Sequence, residues 1–160
     1  MSMVSAKLRG SLVRVYGVGV FIRGLSGSGK SATAIKLMNR GHRLVADDLV
    51  NITAGPDGTL VGRALEKDVR IEVRGLGVFE ARSLFPHGVA ESARIDFIAD
   101  LDAYDPMRDS GRVEPETRTT NLLDKEIPSV RVPVTESIDP SLLIEILARR
   151  FCDADTVKHS

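Results

Sequence analysis

Eight consecutive residues of the chain carry the pattern of a phosphate-binding loop. Gly24–Ser31, with the sequence GLSGSGKS, matches G-x-x-x-x-G-K-[ST] at every fixed position. In this pattern the glycines let backbone N–H groups approach a polyphosphate, the lysine reaches the terminal phosphates, and the final hydroxyl ligates Mg²⁺. The pattern therefore predicts a nucleotide phosphate site, with Lys30 at the transferring phosphate and Ser31 on the metal. The predicted cofactor-binding residues are Gly24, Leu25, Ser26, Gly27, Ser28, Gly29, Lys30 and Ser31.

The segments on either side of this loop supply the strand and the helix that the motif requires. Val18–Arg23 is apolar and rich in β-branched residues, which predicts a strand. Residues 31–40 have apolar side chains at helical spacing, and Gly41 is suited to end that helix. This context disfavours the alternative interpretation, a flexible linker of glycine and serine.

Acidic residues beyond the loop are candidates for a metal ligand and a general base. Asp47 and Asp48 close a short strand predicted over 42–46, and such strand ends lie beside the phosphate loop in a βαβ unit. Adjacent strand residues point to opposite faces, so one of the two is expected to face the nucleotide. Repulsion between neighbouring carboxylates raises at least one pKa, which suits a general base. Two alternatives stay open: the pair caps an exposed strand end, or Asp100, after another apolar strand, is the metal ligand.

The composition limits the classes of protein to consider. The chain has 160 residues with 22 basic and 22 acidic side chains, so its formal net charge is zero. This balance gives no electrostatic footprint for nucleic acid or an anionic membrane. No apolar run approaches the ~20 residues of a membrane span, and the single cysteine, Cys152, excludes an intrachain disulfide framework. We expect a cytoplasmic protein with one domain over 1–152 and a disordered tail over 153–160.

The remaining pattern predicts an α/β fold that is richer in strands than a simple doubly wound nucleotide-binding fold. A hairpin is expected over 12–16 and 18–23, and a long polar loop over 102–116. Further strands are predicted at 42–46, 49–53, 59–61, 70–73, 95–101, 117–123 and 130–134, and helices at 31–40, at 78–84 and from Pro140 onward.

Three segments together resemble the catalytic domain of bacterial HPr kinase/phosphorylase. They are the GLSGSGKS loop, RGHRLVADD at 40–48 and IEVRGLG at 71–77. The resemblance, which runs from about residue 7 to 150, implies a P-loop kinase core similar to phosphoenolpyruvate carboxykinase, with strand-rich mixed sheets, a phosphate-loop helix and a C-terminal helix. It also implies ATP and Mg²⁺ as cofactors, a serine of the phosphocarrier HPr or a related protein as phosphate acceptor, and a homo-oligomer, usually a hexamer. The separate N-terminal domain of the family has no counterpart here, so we expect a short form or the catalytic half alone.

The resemblance further implies roles for individual residues. Ser31 and Glu72 match the magnesium ligands of the family, and Asp47 is a third candidate. Asp48 matches the residue that takes the serine proton in the kinase direction and returns it in the reverse direction. Arg112 matches an arginine of the polar loop that would stabilise transition-state charge. Without the resemblance, Arg112 is a solvated loop charge and Glu72 a strand-surface acid paired with a neighbouring arginine.

Two departures from the family bear on the direction of the reaction. The family carries His-Gly where this chain has Arg9-Gly10, and that histidine partners the catalytic acid. Arg9 stays charged, so it cannot shuttle a proton, but it can hold Asp48 as a carboxylate or bind a phosphate. Residues 133–138, PVTESI, stand where the family carries the basic segment P-V-R-P-G-R associated with dephosphorylation, and Gly111 stands where an aspartate is usual.

We therefore expect ATP-dependent phosphotransfer to survive and phosphate-dependent dephosphorylation to be weak or absent. Two alternatives remain open from the sequence. One is a P-loop kinase of the same fold that acts on a different protein or on a small molecule. The other is a non-catalytic nucleotide-sensing module, in which Arg9 marks the loss of catalysis.

Overall fold

The structure, a computed structural model, describes residues 4–25 and 27–159 of the chain. Its strands are β1 Val4–Arg9, β2 Ser11–Val15, β3 Val18–Arg23, β4 Arg43–Ala46, β5 Leu49–Ala54, β6 Leu60–Arg63, β7 Arg70–Val73, β8 Gly77–Glu80, β9 Ser92–Arg94, β10 Phe97–Ala103, β11 Thr117–Leu122 and β12 Lys125–Val134. Its helices are α1 Lys30–Asn39, α2 Ala81–Leu84, α3 Pro106–Asp109 and α4 Pro140–His159. Within these residues, none of the helices combines the length and the apolar character that a bilayer span requires.

A six-stranded mixed sheet positions the phosphate loop. Its strand order is β11-β12-β10-β3-β2-β4, with β10 parallel to both β3 and β12, and β2 antiparallel to both β3 and β4. The strands β3, β4, β10 and β12 therefore all end at the same edge of the sheet. The phosphate loop follows β3, and the paired aspartates follow β4, so both motifs emerge at that edge.

The sheet is buried on both faces, which explains the continuous apolar run of β3. One core lies between this sheet and helices α1 and α4, and includes Val20, Ile22 and Ile144. The other core contains Leu12 and Phe21 from the opposite face, packed against residues of a four-stranded antiparallel sheet with the order β1-β5-β6-β9. A strand with both faces covered reads as unbroken hydrophobic sequence rather than alternation.

Most of the predicted elements are confirmed. The β2–β3 hairpin, helix α1 and the strands β4 to β7 lie within about two residues of the predicted bounds. Gly41 ends α1 as predicted: it takes φ 96°, its N–H donates to the carbonyl of Met38, and the N–H of His42 donates to Leu37. These two hydrogen bonds satisfy carbonyls that the end of a helix would otherwise leave open.

Other predictions are wrong. Residues 78–80 form strand β8 instead of helix, because the turn at 74–76 pairs 77–80 with β7, and only the single turn α2 follows. The predicted loop over 102–116 contains the end of β10 and the short helix α3. The edge strand β1 and the three-residue β9 were not predicted: β1 alternates apolar and polar residues but lies at the start of the chain, and β9 is too short to carry a pattern. Helix α4 spans Pro140–His159, and the domain end at residue 152 stays a prediction.

Strand β3 meets the second sheet at Gly19, where the two backbones are in close contact. A Cβ atom on this residue would lie 1.6 Å from the carbonyl oxygen of Arg94 in β9. The N–H of Gly19 donates to the carboxylate of Asp96 at 2.9 Å, and its carbonyl accepts from the N–H of Asp96 at 2.8 Å. A side chain at this position would therefore force the two sheets apart.

We expect the substitution Gly19→Ala to lower the free energy of unfolding by about 3 kcal/mol or more, because backbone atoms cannot move aside as a flexible side chain can. Urea denaturation of the purified variant measures this loss. Gly17→Asn is the matched control: no atom lies within 4 Å of the added Cβ, and Asn tolerates the left-handed backbone at φ 79°. Equal stability of the two variants would contradict the close approach at Gly19.

Candidate nucleotide-binding site

The phosphate loop takes a backbone that only small residues accommodate. Gly27 and Gly29 have φ of 84° and 100°, in the left-handed region that favours glycine. A Cβ on Gly24 would lie 2.4 Å from the Ser28 hydroxyl and 2.9 Å from the carbonyl oxygen of Leu101. The glycine types of the motif are therefore required by the local geometry. The predicted ligand Ser26 lies outside the described residues.

Two polar side chains of the loop are arranged for a ligand. The ammonium of Lys30 donates to the carbonyls of Gly24 at 2.8 Å and Leu25 at 3.3 Å, so it lies across the loop. The Ser28 hydroxyl oxygen is buried, and within the described residues it has no hydrogen-bond partner. A buried hydroxyl of this kind is costly unless it is paired. A phosphate oxygen in the loop would supply that partner and would compete with the two carbonyls for Lys30.

Asp47 is tied to the loop through two hydroxyl groups. Ser31 donates to its carboxylate oxygens at 3.2 and 3.1 Å, and Ser11 donates at 2.7 Å. Burial raises the pKa of Asp47; the two serine hydrogen bonds oppose that rise, and the charge of Asp48 adds to it. A carboxylate that contacts the loop hydroxyl is in the place where a magnesium ligand is needed.

The competing candidate, Asp100, is committed to other partners. Arg23 binds it in a bidentate pair, with nitrogen–oxygen distances of 2.8 and 3.1 Å, and Arg118 lies 3.7 Å away. Asp100 sits opposite Arg23 in the parallel register of β10 and β3, so this pairing follows from the sheet itself. Among the acids left open by the sequence, the geometry favours Asp47 over Asp100 as a metal ligand.

A cavity of about 790 Å³ brings the loop together with three charged residues predicted from the sequence. Arg9 and Asp48 line it from one side, 3.6 Å apart, with side chains that are 82% and 72% exposed. An ion pair this exposed is weak and screened by salt. Asp48 takes φ 67° just after β4 ends at Ala46, and it lines this cavity. Asp47 is not among the lining residues and contacts the loop through the Ser31 hydroxyl.

The hairpin β7–β8 forms another wall of the cavity and carries Glu72 and Arg74. Within the part of the chain that the structure describes, these two side chains make no salt bridge with each other. Glu72 was predicted as a site residue; Arg74, which lies in the turn after β7, was not. Ser11 was also missed, because no local pattern connects it to Asp47.

Arg112, the loop arginine, lies outside this cavity. It lines a separate cavity of about 220 Å³ together with Asp109 and Arg131, and its Nε donates to the carbonyl of Arg108 at 3.4 Å. The segment is anchored by a buried ion pair between Arg131 and Asp109, and Arg131 also donates to Asp102 at 3.2 Å. The structure therefore does not bring Arg112 to the phosphate loop.

Comparisons with known proteins agree with this geometry. The family model described as HPr Serine kinase C-terminal domain matches residues 3–159. The chain is 42% identical over 146 residues to an HPr kinase/phosphorylase of Geobacillus kaustophilus, and 41% identical over 147 residues to one of Listeria monocytogenes. Each alignment covers 90% of this chain and 47% of the relative, so the chain spans about half the length of these curated relatives.

A solved structure shares the fold. The Hpr(Ser) kinase/phosphatase from Coxiella burnetii superposes with a TM-score of 0.82 at 23% sequence identity, over 96% of this chain and 97% of that chain. At this identity the match speaks for the fold alone. It confirms the predicted class, an α/β P-loop kinase core with strand-rich mixed sheets, a phosphate-loop helix and a C-terminal helix.

We expect Asp47→Asn to raise the melting temperature of the nucleotide-free protein near neutral pH and to weaken Mg²⁺-dependent ATP binding at least about tenfold. Because burial raises the pKa of Asp47, ionisation of this carboxylate opposes folding above that pKa. As the pH falls through the pKa, the wild-type carboxylate becomes protonated and the advantage of the variant disappears. Thermal unfolding between about pH 4 and pH 8 and calorimetric titration with ATP measure the two effects.

The matched control is Asp100→Asn, which removes the charge that faces Arg23. This variant should lose thermal stability and keep its ATP affinity. A lower melting temperature for Asp47→Asn near neutral pH, or unchanged ATP binding, would contradict the role assigned to Asp47.

Proposed function

We propose, from the premise that the chain belongs to the family of HPr serine kinase C-terminal domains, that it transfers the γ-phosphoryl group of ATP to a serine of an HPr-like phosphocarrier protein. The observation that carries this proposal is the shared cavity: the phosphate loop, Asp48, Glu72 and Arg9 all line it. A phosphate cradle with a carboxylate beside it is what phosphoryl transfer to a hydroxyl requires.

The residues present fit Mg²⁺ and ATP. The three glycines leave the loop free of side chains at their positions. The Ser28 hydroxyl is buried and has no partner in the described chain, and a cavity of about 790 Å³ lies in front of the loop. Ser31, Asp47 and Glu72 offer the oxygen ligands that Mg²⁺ prefers. A magnesium ion held by these residues would neutralise negative charge on the nucleotide phosphates.

Asp48 would act as the general base. Its carboxylate is exposed to the cavity, so it can accept the proton of a serine hydroxyl as the serine Oγ–phosphorus bond forms. The bond between the γ-phosphorus and the β,γ-bridging oxygen breaks, and ADP leaves. Lys30 would turn from the loop carbonyls to the transferring group, and Arg74 adds a second positive charge in the same cavity. Arg112 keeps the role implied by the family only as a proposal.

The reverse reaction is proposed to be weak. There, inorganic phosphate would attack phosphoserine, Asp48 would return a proton to the serine oxygen, and pyrophosphate would form. Arg9 lies 3.6 Å from Asp48, and its guanidinium, unlike a histidine, has no proton to exchange with that residue near neutral pH. Residues 133–138 supply a glutamate and no arginine, so they offer little to a second phosphate.

The setting of this activity is also a proposal. We place the protein in the cytoplasm, where ATP and the phosphocarrier are found, and we propose neither nucleic acid nor a membrane as a partner, because the balanced charge gives no electrostatic footprint for them. The family resemblance supports a homo-oligomer, a hexamer, built from a single kinase domain over 1–152 with a tail over 153–160.

Incubation of the chain with γ-labelled ATP, Mg²⁺ and HPr tests the proposal. Because Asp48→Asn removes the general base, this variant should transfer label at least about 100-fold more slowly while its ATP affinity stays nearly unchanged. Asp124→Asn is the matched control. Asp124, with φ 64°, has a left-handed backbone like that of Asp48, but it lies in the β11–β12 turn. Retained transfer in Asp48→Asn would remove Asp48 from the base role.

The same assay separates the alternatives. Label on a serine of HPr supports the proposed function. ATP turnover without label on HPr would indicate a different protein or a small-molecule acceptor. ATP binding without turnover would indicate a nucleotide-sensing module.

The direction of the reaction is tested with Arg9→His. We expect the wild-type protein to release little pyrophosphate from phosphorylated HPr and inorganic phosphate, and the variant to release at least about tenfold more, because histidine can exchange a proton with Asp48 near neutral pH. Arg9→Lys, which keeps the charge without a titratable group in this range, is the control. Brisk pyrophosphate release by the wild-type protein would contradict the proposed bias.

A further inference from the structure

A second cavity, of about 340 Å³, lies at the end of the six-stranded sheet opposite the phosphate loop. It is formed by the β2–β3 turn and by the segment that joins α1 to β4. Its lining residues are Arg14, Tyr16, Gly17, Arg40, Gly41, His42 and Arg43. Three of them are arginines and none carries a carboxylate, so we refer to it as the arginine cavity.

Arg14 and Arg43 face each other directly across neighbouring strands. They are register partners in the antiparallel pairing of β2 and β4, so their side chains share a face with Cβ atoms about 5 Å apart. Both are exposed, and neither forms a salt bridge with any residue in 4–25 or 27–159. Like charges directly opposite in a sheet are destabilising. The pair is therefore a concentration of positive charge without a counterion in the described chain.

The surrounding charges do not cancel this excess. Glu145 bonds to Arg40 and to the ring of His42, and it also accepts from the Tyr16 hydroxyl. Asp139 lies 3.9 Å from Arg40, and Arg149 stacks on the Tyr16 ring at 4.0 Å. The cations in and around the cavity are Arg14, Lys36, Arg40, Arg43 and Arg149, and the anions are Asp139 and Glu145. Three positive charges remain, with His42 counted as neutral.

We propose that the arginine cavity binds a small anion that carries one or two phosphate groups. Guanidinium groups match phosphate oxygens in a bidentate geometry, and Arg14 and Arg43, from adjacent strands, both line this cavity. The volume lies at the lower end of small-ligand pockets and leaves room for phosphate or pyrophosphate. This site is separate from the phosphate loop and does not depend on the proposed kinase activity.

Titration of the ¹⁵N-labelled chain with pyrophosphate tests the proposal. The amide signals of Gly17 and Gly41 should shift along one saturable curve, and those of Gly27 and Gly29 along another. Arg14→Ala should lower the affinity measured from the Gly17 and Gly41 signals about tenfold and leave that from Gly27 and Gly29 unchanged. Lys30→Ala should have the reverse effect. Arg63→Ala is the matched control, since Arg63 is an exposed strand arginine that lines neither cavity. A parallel titration with inorganic phosphate shows whether one or two phosphate groups are preferred.

The charge-reversal variant Arg14→Asp tests the same site if Arg14→Ala unfolds. Arg14→Asp places a carboxylate opposite Arg43, so it should raise the melting temperature at low salt and abolish the saturable shift at Gly17 and Gly41. The proposal is overturned if wild-type Gly17 and Gly41 show no saturable shift, if sodium chloride at equal ionic strength reproduces the shift, or if Arg14→Ala keeps the wild-type affinity.

Discussion

The nucleotide site depends on one carboxylate, Asp47, which connects three strand ends. It accepts hydrogen bonds from Ser31 in the phosphate loop and from Ser11 at the start of β2. Because β2 lies between β3 and β4 in the sheet, the end of β3, where the loop begins, and the end of β4 are about 10 Å apart, two strand spacings. The loop bridges this gap, and the serine of the intervening strand completes the contact. Asp48 and its neighbour Arg9 reach the same cavity as a consequence.

This arrangement has an electrostatic cost that makes sense only with a ligand. Burial raises the pKa of Asp47, so ionisation of this carboxylate costs free energy in the folded protein. The Ser28 hydroxyl is likewise buried without a partner in the described chain. A protein selected for stability alone would replace both groups. Strain of this kind collects at sites where a bound group compensates for it.

Local signals in the sequence were sufficient for the phosphate loop and the helix that follows it. The glycine loop, the helix that follows it and the Gly41 cap were all predicted, because each depends on a few adjacent residues. Strand β8 was mistaken for helix because its pairing with β7, rather than its own periodicity, decides its conformation. In the site, Glu72 came from a resemblance, whereas Ser11 was missed because its contact spans 36 positions. Arg112 was expected at the loop, but the buried pair of Arg131 and Asp109 anchors its segment elsewhere.

Helix α1 explains why its two ends would bind anions by different means. At its N-terminus, free backbone N–H groups and the helix dipole favour phosphate, so glycines and one lysine are enough. At its C-terminus the dipole opposes an anion, although hydrogen bonds from Gly41 and His42 already cover the last carbonyls. An anion there must be held by side-chain charge alone. In our proposal, Arg14, Arg40 and Arg43 supply that positive charge. Repulsion among them lowers the stability of the free protein, and a bound phosphate would restore it.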